Sequence, residues 1–151
     1  MVSRAQVSLE FLMVVGIAMV LLTASSVAIF QFTQQQTDQS DMQQAATVGY
    51  QIINQAANVY TYGSGSFVRV TGNVPSSVQQ IYVVEDTLIF EVRTREGIVP
   101  VQVFSDIPIN GIYASGDGKV HVNASGSQIQ HGNVGFRVES KGSRVEISQI
   151  R

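Results

Sequence analysis

The feature that most constrains this chain is an uncharged apolar run from Phe11 to Phe32, FLMVVGIAMVLLTASSVAIFQF, with no charge after it until Asp38. As a helix it covers about 33 Å at a rise of ~1.5 Å per residue, against ~30 Å for the hydrocarbon core of a bilayer. Apolar residues surround it on every side instead of forming a stripe, the pattern that lipid immersion requires. Arg4 is the only basic residue nearby and precedes the run. The positive-inside rule therefore puts the N-terminus in the cytoplasm and everything after Phe32 outside. The remaining residues suffice for one modest domain.

Residues 31 to 44 form a polar neck rich in glutamine, without Pro or Gly, through which a helix can continue. Ala45, Val48, Gly49, Ile52, Ile53, Ala56, Ala57 and Tyr60 then recur at three- and four-residue spacing, which predicts an amphipathic helix with one buried face. Gly63-Ser64-Gly65-Ser66 supplies the stop. One nearly continuous helix from about Val7 to Tyr62 is expected. Gly49 is expected to pack under the sheet and Gly16 to be an ordinary membrane-helix glycine. Tyr60, Tyr62 and Phe67 are expected to anchor a core around the helix end.

Beyond Gly65 the apolar period changes to two. Strands are expected at Phe67–Val70, Ile81–Val84, Thr87–Thr94, Val99–Phe104, Lys119–Val122, Gly135–Ser140 and Arg144–Ile150. Turn signals separate them at Glu85-Asp86, Arg95-Glu96-Gly97, Gly116-Asp117-Gly118 and Lys141-Gly142. Strands this short and tightly joined predict an antiparallel sheet or small sandwich against the C-terminal half of the helix. The expected class is α+β: a long N-terminal membrane or filament helix, then a small antiparallel, sandwich-like β domain.

The stretch ahead of the apolar run is Arg4-Ala5-Gln6-Val7-Ser8-Leu9-Glu10-Phe11-Leu12. A secretory signal peptide is cut after its apolar core and loses it. Here a short charged leader, a small residue and a Gln-x-Ser-Leu-Glu-Phe string all come first. This resembles the class III signal peptide of archaeal type IV pilins, which a prepilin peptidase cuts just before the Gln. The resemblance covers about seven residues and extends loosely to the helix end, where Ala56-Ala57-Asn58-Val59-Tyr60, the Gly63–Ser66 turn and Val74-Pro75 look like those proteins' helix-to-sheet junction. It implies a leader 1–5, a helix 6–62 with its membrane or filament core at 11–32, and an extracellular β-rich domain 63–151. Ala5 would be the last leader residue and Gln6 the first mature one; Glu10 becomes the fifth mature residue, the acidic position shared by type IV pilin-like subunits. Ala5 stands where Gly is more usual, and both are small, so processing is expected to survive. The resemblance also implies as partners other copies of the chain, the prepilin peptidase, a pilus assembly platform and, before assembly, the membrane.

A carboxylate in an apolar run is costly unless paired. Cleavage before Gln6 would create an α-amine close to Glu10, and in a filament the amine of one subunit can meet Glu10 of a neighbour. At ~4 Å that attraction is about 4 kcal/mol for an effective dielectric of ~20, before desolvation is subtracted. Such a pair would set axial register more than raw stability. The plainer reading places Glu10 at the headgroup level of a simple anchor.

No enzymatic constellation is visible, so neither a catalytic activity nor a cofactor is expected. Cysteine is absent, which excludes disulfides and thiolate chemistry. His121 and His131 have no acidic partner at ligand spacing, Asp117-Gly118 has no following acidic ladder, and Gly63-x-Gly65 opens no helix. Charged residues make up 13% of the chain, and after Gly63 the two signs are equal in number, so the basic stripe of a nucleic-acid binder is missing. Asn123-Ala124-Ser125 is a glycosylation sequon on the side expected to lie outside the membrane. Three functions compete: a pilin, major or minor; a monomeric membrane-anchored extracellular binding domain; and a protein secreted by cleavage after Ser26-Val27-Ala28. Glu10 opposes the last, since the n-region of a signal peptide is normally basic.

Overall fold

The computed structural model describes residues 2–116, 118–123 and 129–150, with side chains from Ser8 onward. The chain forms one long helix, α1 (Val2–Tyr62), followed by strands β1 (Phe67–Val74), β2 (Val78–Val84), β3 (Thr87–Arg93), β4 (Ile98–Phe104), β5 (Ile109–Asn110), β6 (Tyr113–Ala114), β7 (Val120–His121), β8 (Gly132–Ser140) and β9 (Val145–Ile150). Its contacts divide it into two units, Met1–Thr37 and Asp38–Arg151.

The first unit is α1 alone. The second contains the end of α1 and two sheets, of strand order β1-β8-β9-β5 and β4-β3-β2-β7-β6. Every pairing is antiparallel except the two-residue contact of β5 with β9, which is parallel (Ile109 opposite Val145). That exception, and strands β5 and β6 as a whole, are missing from the expectation because two residues carry no period. Val122 joins the sheets: its N–H donates to Ile81 of β2, and its carbonyl accepts from Gln149 of β9.

The amphipathic part of α1 lies between the two long edge strands. Ala45, Val48, Ile52, Ile53 and Ala56 join the core, with Phe90 and Phe136 as its largest fully buried side chains. Gly72 of β1 meets Val48, and Gly49 of α1 meets Val103 of β4 and Phe90 of β3, so Gly49 packs under the sheet as expected. A Cβ at Gly49 would stand 2.7 Å from Val103 Cγ2. Two positions on the predicted face are corrected. Ala57 is exposed, and Val59 is buried in its stead, because the buried stripe turns with the true helical period.

The turns follow their residues closely. Glu85 and Asp86 both take left-handed backbone, φ 46° and 62°, which gives the two-residue hairpin turn whose twist suits β2 and β3. Asp86 also accepts from Ile109 N through Oδ1 at 3.0 Å, tying β5 to that turn. At the helix end Gly63 and Gly65 have φ 91° and 87°. Gly65 N donates to Ser140 O while Ser140 N donates to Ser66 O, a glycine-led bulge that starts the β1–β8 ladder. Asp117, in the third predicted turn, lies outside the described residues.

Candidate functional site

The candidate site is the N-terminal part of α1. Val2 onward is helical, but the side chains of Ala5 and Gln6 lie outside the described residues. Glu10 is exposed, flanked by exposed Leu9 and Phe11, and makes no hydrogen bond or ion pair with a described residue.

From Leu9 to Phe32 nearly every large apolar side chain is open, with Phe11 68% and Phe30 64% exposed. None of the most apolar stretch is buried, and by length and composition this helix could cross a membrane. An open apolar surface of this extent needs lipid or protein around it. Gly16 has no atom outside its own turn of helix within 4 Å of a would-be Cβ. The hydroxyls in the run are already satisfied. Thr23, Ser25 and Ser26 donate to the carbonyls of Met19, Leu21 and Leu22, each at 2.8 Å, and Thr33 donates to Ile29. A side chain bonded to the carbonyl four residues back brings no free donor into an apolar medium. This feature goes unread in the sequence, although Ser and Thr inside an otherwise apolar helical stretch are the signal for it.

The aromatic residues at the helix end depart from expectation. Tyr60 is half-buried against the core, but Tyr62 is 78% and Phe67 62% exposed. Tyr62 falls outside the buried stripe of α1 that runs through Ile52, Ala56 and Val59, and Phe67 occupies the outward phase of β1. Arg137 lies 4.5 Å from the centre of the Phe67 ring. The same face carries an ion-pair chain: Glu139 pairs with Arg137 at 3.1 Å and Lys141 at 2.6 Å, and Lys141 reaches Glu146 at 3.8 Å. The hydrogen bond from Lys141 holds the Glu139 carboxyl below its ordinary range, and the Glu139 carboxylate raises Lys141 in return.

The histidines do not converge. His131 Nε2 donates to Val78 O at 2.8 Å, and His121 packs edge-on against Tyr82 with ring centres 5.8 Å apart. Tyr82 donates its hydroxyl to Glu91 Oε1 at 2.9 Å, and Lys119 pairs with the same oxygen at 3.4 Å. Burial, reinforced by Glu91, pushes the Tyr82 hydroxyl above its ordinary value. Among the described residues no group of three or more His, Asp or Glu side chains could hold a metal ion. Asn123 is half-buried just after β7; Ala124 and Ser125 of its sequon lie outside the described residues.

A long apolar N-terminal helix followed by a small β domain is a pilin-like layout. No family model, no curated protein and no solved structure matches the chain.

Proposed function

We propose that this chain is the precursor of a structural subunit, a major or minor pilin, of an archaeal type IV pilus-like surface filament. A prepilin peptidase removes residues 1–5, and the freed subunit assembles through its apolar helix on a pilus platform. Before assembly it is a single-pass membrane protein with a cytoplasmic N-terminus; afterwards it stands at the cell surface. It has no catalytic task and no cofactor in this reading. One observation carries it: an apolar run, none of whose most apolar stretch is buried, in which the only charge between Ser8 and Phe32 is Glu10, without a partner among the described residues and inside the Gln-x-Ser-Leu-Glu-Phe string. An anchor needs the apolar length but has no use for a carboxylate within it, since a buried charge without a partner is strongly unfavourable.

Two measurements test it. With its peptidase present, the chain should lose Met1 to Ala5 by intact mass and begin at Gln6; a mature chain starting near Ile29 would mean ordinary secretion. Glu10→Gln should leave insertion and cleavage intact while surface filaments fall sharply and processed subunit accumulates in the membrane. An unchanged ratio of sheared-filament to membrane-bound subunit would leave Glu10 as an interfacial residue of a monomeric anchored binding domain.

A further inference from the structure

Two long strands lie at the edges of the sheets, and they differ in how their open backbone is protected. In β4, Pro100 interrupts the row of donors. Strand β1 has neither proline nor lysine over its eight residues, the usual devices against uninvited pairing. The bulge at Gly65-Ser66 sets the phase of the β1–β8 ladder: Val68, Val70, Gly72 and Val74 exchange bonds with β8, so the N–H and C=O of Phe67, Arg69, Thr71 and Asn73 face away from it. No described residue bonds to those outward groups.

Beside this edge runs a groove of about 430 Å³ whose other wall is Gln51, Asn54 and Gln55 of α1. The amides of Gln51 and Asn54 have no hydrogen-bond partner among the described residues, and Gln55 has only Asn58 at 3.5 Å. The two walls repeat at nearly the same interval. Alternate residues of a strand recur every ~6.7 Å, and Gln51 and Gln55 are about 6 Å apart along the helix axis at ~1.5 Å per residue. An extended polypeptide has two rows of backbone groups; β1 would take one and the amides the other. The only ionic group in the groove is Arg69, which makes no ion pair with a described residue and stands opposite Arg137 across the ladder.

We infer that this groove receives an extended, acid-bearing segment of a partner polypeptide, which adds as a fifth strand beside β1 with its carboxylate against Arg69. A second copy of the chain is the weaker occupant, because its open edge β4 lacks the donor at Pro100 and neither β4 nor β1 carries a carboxylate to set against Arg69. The inference uses only the β domain and the part of α1 within it, and stands apart from the filament reading.

The test uses the full chain in detergent micelles and an acetylated, amidated heptapeptide of alternating Thr and Val with Asp at its centre. A second peptide has Lys at the centre. The Asp peptide should slow hydrogen exchange at the amides of Phe67, Arg69, Thr71 and Asn73 at least tenfold and leave the Val68 and Val70 amides unchanged. Thr71→Pro removes one outward donor without touching the β8 ladder and should weaken binding at least tenfold at unchanged thermal midpoint. Arg69→Glu, which keeps every backbone group, should reverse the preference toward the Lys peptide. No protection at millimolar peptide, or protection indifferent to the central residue in both proteins, overturns the inference. So does protection without peptide that grows with protein concentration, since a second copy then fills the groove.

Discussion

The two stretches of α1 on either side of Thr37 make an instructive contrast. Before it, apolar residues cover the helix and none of the most apolar stretch is buried. After it, the helix is more polar, yet Ala45, Ile52 and Ala56 are completely buried. Burial here follows from having a partner surface, which a stripe of apolar residues can find within its own chain and an apolar cylinder cannot. The first stretch presents an apolar surface that needs an environment from outside its own fold, lipid or protein. The second is a core element of the β domain.

Deletion tests that contrast most severely. Removing residues 1–40 should leave a folded β domain, monitored by cooperative thermal unfolding and near-ultraviolet dichroism. Removing residues 1–62 should abolish cooperative unfolding, because the core then loses Val48, Ile52 and Ala56 from between its sheets. A folded product from the longer deletion would show that the sheets sustain a core by themselves.

Paired substitutions give smaller effects. Ile52→Ala should destabilise the domain by about 2–5 kcal/mol in denaturant titration, the range for a cavity in a packed core. Ile17→Ala, at a position 63% exposed, should leave the same transition unmoved. The glycines repeat the contrast: Gly49→Ala drives a methyl into Val103 and Phe90 and should cost about 1–3 kcal/mol, whereas Gly16→Ala should be silent in domain unfolding. Equal effects within either pair would mean that the two stretches are packed alike.

The smallest effect concerns pH and is confined to the β domain. The Tyr82 hydroxyl is raised above 10.0 by burial and by Glu91, so the folded state favours its neutral form. Its contribution is therefore whole below pH 10 and is lost as pH rises from there through the higher folded value. Tyr82→Phe should flatten the alkaline fall in domain stability relative to wild type. An identical alkaline slope in the two proteins would assign that fall to other groups.

Most of this fold is legible in residue order because its signals are local. The apolar run, the glycine stop at Gly63 and the two-residue turn at Glu85-Asp86 act on their own neighbours, and the structure places helix end and hairpin where they predict. Strands with at least six residues are all within reach of periodicity, although β1, β2 and β8 run further than their patterns suggest. Short motifs single out Ala5, Gln6, Glu10 and Asn123, and the arrangement of a single chain adds that Glu10 is exposed without a partner among the described residues and that Asn123 is half-buried.

What residue order determined by itself is the division of labour along α1, the switch to strands after Gly65, and the absence of thiol chemistry, since each depends on composition or on spacing within a few residues. Tertiary structure alone decided the strand order, the parallel contact of β5 with β9, the outward placing of Tyr62 and Phe67, and the open edge of β1 beside Gln51 and Asn54. These depend on which distant segments meet, and pairings such as Val68 with Val138 are chosen by the collective filling of a core that no local window contains.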